Sequence, residues 1–246
     1  MRKHGISQEI LKLIACVSVL LDHIGAVVVM ACFENAAVAN KGLLLDLYEM
    51  LRMIGRLAFP IYCFLLVEGH VHTHSSMRYG LLLLLDALLS EIPYDLAIFG
   101  GINWHHQNVM VTLLLGFLML EAMKKCSKPA QKLLIIAPFA VLANLLNADY
   151  GADGILVIAL FALTRQLPHR VVWQFLGLWC IFSPSHLMAL NWLGKFSVTV
   201  QELAVLAVVP MALYDGSKAT KSKVVQWMFY MFYPAHLTVL FLIGRF

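Results

Sequence analysis

Nine apolar runs occupy most of this 246-residue chain, and only short polar connectors separate them. Hydrophobic residues make up 61% of the sequence and charged residues 13%, a balance far to the apolar side of soluble globular domains. The runs, of spanning or near-spanning length, cover residues 10–32, 44–68, 79–98, 107–122, 132–147, 153–164, 170–188, 199–214 and 226–243. Such a pattern is typical of a chain that folds in lipid.

Backbone groups inside a bilayer must pair within the protein, so a spanning segment is either a helix or a strand of a closed barrel. The runs lack the apolar and polar alternation of barrel strands. We therefore predict an all-α polytopic membrane protein, a bundle of about nine transmembrane helices. The connectors leave no room for a separate soluble domain, so residues 1–246 are predicted to form one domain.

The distribution of Lys and Arg predicts the orientation of this bundle. With the N-terminus inside, thirteen of the eighteen basic residues lie on the inner side and three on the outer side. The inner ones are Arg2, Lys3, Lys12, Arg78, Lys124, Lys125, Lys128, Lys132, Arg165, Arg170, Lys218, Lys221 and Lys223, and the outer ones are Lys41, Lys195 and Arg245. We expect a cytoplasmic N-terminus, an external C-terminus and a multi-pass location in the inner (plasma) membrane.

The composition also argues against several classes of site. The formal charge of +4 does not indicate a nucleic-acid partner, because the basic residues lie in loops between apolar runs. The five cysteines lack the CxxC pairs or clustering of a zinc site or disulfide framework. His70, His72 and His74 alternate without acidic or thiol companions, and we predict no metal site.

Three charged residues share one face of the second run. Glu49, Arg52 and Arg56 are spaced i, i+3, i+7, so this face cannot look at lipid, and Glu49 could pair with Arg52. Two guanidiniums beside one carboxylate leave positive charge that suits phosphate, a carboxylate or a developing oxyanion. The alternative is structural pairing with acidic residues of other helices, namely Asp22, Asp86, Glu91 or Glu202.

Polar residues also interrupt the first and last runs. Neighbouring helical residues point about 100° apart, so we expect Asp22 to bond a group on another helix and not to orient His23. A neutral His23 could act as a general base or be a satisfied interior histidine. His236 follows Pro234, which predicts a kink, and it could meet Asp22 at the same depth or serve only a structural role.

Polar residues in the outer connectors predict an extracytoplasmic mouth to a cavity between the first, second and last helices. These residues are Pro93-Tyr94-Asp95, Asn108 and Asp149-Tyr150-Gly151-Ala152-Asp153. Turns and helix caps explain many of them as well.

Together with further short blocks, these residues resemble the TraX family, named for the pilin acetylation protein of conjugative plasmids. The matching residues are Leu11-Lys12-Leu13-Ile14-Ala15, Asp22-His23-Ile24-Gly25, Arg52-Met53-Ile54-Gly55-Arg56-Leu57-Ala58-Phe59-Pro60, Glu68-Gly69, Pro93-Tyr94, Asn108, Asp149-Tyr150-Gly151 and Tyr233-Pro234-Ala235-His236. The DHxG and RxxGRxAFP blocks in consecutive runs are specific, and the blocks extend over nearly the whole chain.

The resemblance implies a multi-spanning acyltransferase that moves an acetyl group from acetyl-CoA, a co-substrate, to an amine such as the N-terminus of pilin. By similarity, His23 takes the role of the essential early histidine of transmembrane acyltransferases. Arg52 and Arg56 would hold the donor's phosphates or polarise its thioester. Asp22, His236 and Glu68 would form the supporting polar shell, or Glu68 would instead contact the donor. We assign Tyr94, Asn108, Tyr150, Asp153 and Tyr233 to the acceptor.

The predicted partners are therefore acyl-CoA, membrane lipids and an acceptor protein, glycan or lipid. The hypothesis places the cavity between the first, second and last helices. A proton-coupled small-molecule transporter that uses the buried Asp, His and Arg residues is the alternative function, although no inverted repeat is seen. A non-enzymatic membrane scaffold is a third.

Overall fold

The computed structural model describes residues 5–35, 40–183, 200–218 and 222–244. Two sets of predictions fall outside these residues. They are the end of the seventh run, after residue 183, and the basic residues Arg2, Lys3, Lys195, Lys221 and Arg245.

Nine helical segments form within the described residues, and each coincides with one apolar run. They are α1 (Gln8–Asn35), α2 (Lys41–His72), α3 (Ser76–Phe99), α4 (Val109–Met123), α5 (Pro129–Leu145), α6 (Gly151–Thr164), α7 (Arg170–Phe182), α8 (Val200–Ala212) and α9 (Lys223–Gly244). Extended pairing in this part of the chain is limited to isolated bridges, Ile6 with Tyr214 and Gln107 with Ala148. The all-α prediction is confirmed for the described residues.

Only some of these helices have the dimensions of a membrane span. Three of them, α1, α2 and α9, are long and apolar enough to cross a bilayer. The α3 helix has 24 residues but includes Arg78, Asp86, Glu91 and Asp95, and α4 to α8 are shorter apolar helices of 10–17 residues. The number of spans and the orientation therefore stay predictions.

Three helices deviate from regular α-helix beside residues singled out in the sequence. In α8, the first eight residues, Val200–Ala207, form a 3₁₀ segment that includes Glu202. In α1, the six residues Ile24–Val29 form a π-helical segment immediately after His23. In α2, the helix breaks between Gly55 and Ala58. Pro60 explains the break, because it has no N–H to donate to the carbonyl of Arg56.

The described residues form two compact units. The first lies within Met1–Tyr62, His169–Lys221 and Leu242–Phe246, and the second within Cys63–Pro168 and Ser222–Phe241. In the first unit, α1 packs on the first half of α2, and α7 packs on α8. Leu11, Ile61 and Leu178 are fully buried there.

In the second unit, α4 is the central helix and packs against α3, α5 and α6. Phe117 and Phe161 are almost completely buried, and Gly116 lets α4 approach Ile158 so closely that an added Cβ would collide with that side chain. The outer faces are strongly apolar, for example at Leu134 and Leu145 of α5, each 76% exposed. Such faces would be unfavourable in water and suit a lipid environment.

Candidate active site and its polar surroundings

A buried ionic cluster in the first unit joins α1 to α2. Asp22 accepts a hydrogen bond from Arg52 Nη1 at 2.5 Å through Oδ2 and one from Arg56 Nη2 at 2.6 Å through Oδ1. The two arginines lie one helical turn apart, so both guanidiniums reach the same carboxylate. The residue Asp22 is only 6% exposed. The expectation that Asp22 bonds a group on another helix is met, with Arg52 and Arg56 as its partners.

Two glycines make this close approach of α1 and α2 possible. Gly55 lies against the Asp22 side chain, and an added Cβ there would collide with the carboxylate. At Gly25, an added Cβ would lie 3.1 Å from the Cβ of Leu51. Both glycines belong to the sequence blocks that carry the family resemblance. Their contacts explain why these positions have no side chain, because a side chain at either position would keep α1 and α2 apart.

Gln201 and Tyr48 complete the surroundings of the arginines. Arg56 Nη1 donates to Gln201 Oε1 at 2.9 Å, and Arg56 Nε donates to the Arg52 carbonyl at 3.3 Å. The Arg52 guanidinium lies 6.0 Å from the centre of the Tyr48 ring. Sequence reasoning missed Gln201, because nothing in the pattern of α8 marks a residue that faces α2.

His23 follows Asp22 directly and is buried, with 9% exposure. It is the last α-helical residue before the π segment, so the register of α1 changes immediately after it. Single turns of π-helix inside α-helices are rare and occur frequently at functional sites. Of the residues predicted from the sequence, Asp22, Arg52 and Arg56 are in contact in the first unit, and His23 is the next residue of the chain after Asp22.

The predicted pair of Glu49 and Arg52 does not form. Glu49 is exposed, and Arg52 turns instead to Asp22 on α1. A buried carboxylate is the stronger partner, because water screens an exposed one.

In this cluster, one carboxylate bonds two guanidiniums. Asp22 contributes one negative charge against the two positive charges of Arg52 and Arg56, and Gln201 contributes a neutral amide. Arg52 has a side-chain exposure of 26%, against 13% for Arg56. Arg52 is thus the more accessible cation of the two. Glu202 is also buried in this unit, next to Gln201.

A second ionic cluster lies in the second unit. Arg165 donates to both oxygens of Glu68, from Nε at 2.8 Å and from Nη2 at 3.2 Å. His72 Nδ1 lies 3.7 Å from Glu68 Oε2. Arg165, at the end of α6, thus forms a bidentate ion pair with Glu68, and the sequence did not reveal this partner.

Close to this end of α2, His70 Nε2 lies 2.8 Å from Glu121 Oε1. The same oxygen accepts a hydrogen bond from Lys124 Nζ at 2.6 Å, and Lys124 Nζ also reaches Ser76 Oγ at 3.2 Å. Of the three alternating histidines, His70 and His72 therefore have acidic companions that the sequence did not show, Glu121 and Glu68. Among the described residues, no group of three or more His, Cys, Asp and Glu side chains is arranged to hold a metal ion.

His236 is buried in the second unit. Its Nδ1 donates to the Phe232 carbonyl at 2.8 Å, and its ring stacks on Phe232 with 4.6 Å between ring centres. The helix continues through Pro234, and Tyr233 packs edge-on against the imidazole. Asp22 lies in the first unit and His236 in the second, so their predicted meeting stays a prediction.

Asn108 starts α4 and is fully buried. Its Oδ1 accepts from the Met110 N–H at 2.9 Å, and its Nδ2 donates to the Ala87 carbonyl at 2.9 Å and also to Glu91 Oε2. The side chain thus acts as an N-cap and fixes α4 on α3. Asp95 is almost completely buried, and one of its oxygens accepts from the Asn103 N–H at 2.8 Å.

The remaining predicted acceptor residues lie in the second unit. Tyr94 and Tyr233 are buried, and Asp149 is near enough to interact electrostatically with both phenols. Tyr150 borders an open depression of about 270 Å³. The depression is lined by His106, Asn144, Asn147, Ala148, Asp149 and Tyr150. Asp153 is exposed in the first turn of α6.

The loop beside this depression has an unusual backbone. Asn147, Tyr150 and Gly151 have φ angles of 47°, 64° and 44°. The Asp149 N–H donates to the Gln107 carbonyl at 2.9 Å, and the Asp149 carbonyl accepts from the Thr112 hydroxyl. These bonds hold Tyr150 in a conformation that is costly for a bulky side chain, and such strain is frequent at functional sites.

Comparison with known proteins gives this arrangement a context. The sequence model of the family described as TraX protein matches residues 7–244. A probable fimbrial assembly protein FimC, serogroup H1, from Dichelobacter nodosus is 27% identical over 209 residues, which cover 78% of this chain and 82% of that protein. No solved structure matches significantly. The family match together with the apolar helices identifies a membrane protein, and the chain belongs to the TraX protein family.

Proposed function

We propose that this protein is a membrane-embedded acyltransferase, which moves an acetyl group from acetyl-CoA to an amine or hydroxyl on the outer side of the inner membrane. The observation that carries the proposal is the buried Asp22 carboxylate shared by Arg52 and Arg56, with the buried His23 next to Asp22 in the chain. The family membership and the printed name of the Dichelobacter relative support a pilin-related role, so pilin is the first acceptor to test.

In the proposed reaction, the acceptor nitrogen or oxygen attacks the thioester carbonyl while His23 takes its proton. The carbonyl oxygen becomes an oxyanion, for which the guanidiniums of Arg52 and Arg56 supply positive charge. The intermediate then collapses, the carbon–sulfur bond breaks, and the CoA thiolate leaves and takes the proton back from His23. An acyl-histidine intermediate is the covalent variant of the same scheme.

Asp22 holds the two guanidiniums at fixed positions in this proposal. A free arginine would lose several rotatable torsions each time it bound the oxyanion, whereas two hydrogen bonds to Asp22 remove that cost in advance. The higher exposure of Arg52 makes it the better candidate for contact with the donor, and Arg56 the better anchor.

The residues predicted to bind the acceptor all lie in the second unit. Tyr150 is the best candidate for a residue that binds the acceptor, because it borders the open depression and its backbone is held in a strained conformation. Tyr94, Asn108 and Tyr233 are buried in the second unit, and Asp153 is exposed there without lining the depression. Glu68 and His236 remain proposed members of the polar shell.

Radiolabelled acetyl-CoA offers the direct test. The purified full-length protein would be reconstituted in nanodiscs with pilin and with a cell-envelope fraction as acceptors, and label transfer measured. Wild type is expected to transfer label, and His23→Ala and Arg52→Gln to lose at least about a hundredfold in rate. His169→Ala removes an exposed histidine that the proposed reaction does not use and is the matched control. Undiminished transfer by His23→Ala would exclude its role as base.

A second candidate function, proton-coupled transport, is favoured by the α3 helix. Asp86, Glu91 and Asp95 lie on this helix, and no ion pair among the described residues involves any of them. Carboxylates of this kind make proton relays in membrane proteins. Proton flux into proteoliposomes that is lost in Asp86→Asn, together with no acetyl-CoA binding by wild type, would favour transport over acyl transfer.

A further inference from the structure

Two connections of the second unit are tied together at the start of α3 and the end of α4. Ser75 begins α3 by accepting the Arg78 N–H at 3.3 Å, and Lys124 Nζ donates to Ser76 Oγ at 3.2 Å. The connection between α2 and α3 is therefore bonded to the connection between α4 and α5. Lys128 is the N-cap residue of α5, and its backbone N–H donates to Gln131 Oε1 at 3.2 Å.

The carboxylates near these connections are already engaged. Glu121 accepts from Lys124 at 2.6 Å and lies 2.8 Å from His70. Glu68 is held in a bidentate contact by Arg165. Neither carboxylate therefore remains to neutralise a further cation.

Three cations of the same connections remain exposed, and we call Arg78, Lys125 and Lys128 the basic loop cluster. No ion pair among the described residues involves any of them. Positive charge on inner loops is a general feature of membrane proteins, but here a hydrogen bond between Lys124 and Ser76 also joins the two connections. Exposed cations that make no ion pair and lie on joined connections are suited to bind a polyanion.

The proposed function requires such a site, because coenzyme A carries a diphosphate and a further phosphate. Arg52 and Arg56 are the sequence-based candidates to hold these phosphates, but the proposed function uses both guanidiniums, held by Asp22, at the thioester oxyanion. We infer that the basic loop cluster binds the phosphates of the acyl-CoA donor. This inference rests on the proposed function.

The inference predicts a specific pattern of affinity. Replacing Arg78, Lys125 and Lys128 by Gln together removes three charged contacts, and we expect the Kd for coenzyme A to rise at least about tenfold. Acetyl-pantetheine has no phosphates, so transfer from it is expected to stay unchanged in the triple variant. Lys218→Gln with Lys223→Gln removes exposed charge outside the cluster and is the control.

Binding of coenzyme A to the full-length protein would be measured by calorimetry, in nanodiscs of phosphatidylcholine and of phosphatidylglycerol. A weaker affinity of the triple variant in both lipids supports the inference. An unchanged affinity for coenzyme A, with loss of bound phosphatidylglycerol in native mass spectra, would overturn it and assign the cluster to lipid headgroups. Wild type that binds no coenzyme A in either lipid would reject the proposed function and this inference together, whereas wild type and variant with equal affinity would reject the inference alone.

Discussion

Gly55 on α2 packs directly against the carboxylate of Asp22 on α1. The absence of a side chain at this position lets the carboxylate approach the α2 backbone, with Arg52 and Arg56 bonded to its two oxygens. Any Cβ at residue 55 would therefore push the carboxylate away from at least one of its cations. The small size of residue 55 is a condition for the ionic cluster.

Gly55→Ala is expected to destabilise the protein by about 1–3 kcal/mol, because the added methyl overpacks this contact. Thermal unfolding of the detergent-solubilised protein and acetyl transfer would both be measured. Gly42→Ala is a matched control on the same helix, since no atom lies within 4 Å of an added Cβ there. That control should be neutral or slightly stabilising. Equal melting temperatures for the two variants would contradict the packing argument.

Asp22→Asn is expected to cost about 3–5 kcal/mol of stability, because it leaves two largely buried guanidiniums without their anion. Asp46→Asn makes the same chemical change at an exposed position of α2 and should stay within about 0.5 kcal/mol of wild type. A double-mutant cycle with Arg56→Gln would isolate the pair, with an expected coupling of about 0.5–3 kcal/mol. Additive effects of the two substitutions would show that the contact contributes nothing.

Parts of this cluster were accessible from the sequence and parts were not. The spacing of Arg52 and Arg56 places both on one helical face, and Asp22 was among the four acidic partners considered for them. Helical periodicity fixes which face a residue occupies, but not which residue of another helix meets it. Gln201 and Arg165 were missed for this reason, and Glu49 was paired with Arg52 because only local spacing was available. The nine helices followed from apolar runs, whereas the π segment at Ile24–Val29 had no sequence signal.

Gln201→Glu would place a second carboxylate on Arg56, which now donates to a neutral amide at 2.9 Å. The added negative charge should reduce the stabilisation of an oxyanion, and we expect kcat/KM for acetyl transfer to fall about tenfold without loss of stability. Gln201→Ala removes the hydrogen bond instead and should lower stability by about 1 kcal/mol. Gln226→Glu adds the same charge at an exposed position of α9 and serves as the control. Activity that is lower in the Ala variant than in the Glu variant would mean that Gln201 acts through packing and not through charge.

Glu68 was assigned from the sequence to the donor, yet its two oxygens are both bonded to Arg165. If the ion pair of Glu68 with Arg165 is mainly structural, Glu68→Gln should lower the free energy of unfolding by about 3 kcal/mol, because the buried carboxylate that Arg165 contacts through two hydrogen bonds is lost. The KM for acetyl-CoA should then stay within about twofold of wild type. Glu34→Gln changes an exposed glutamate of α1 and controls for the loss of charge. The exchanged pair, Glu68→Arg with Arg165→Glu, should recover part of the stability lost in either single reversal. A large increase in KM at unchanged stability would instead place Glu68 in contact with the donor, as the sequence predicted.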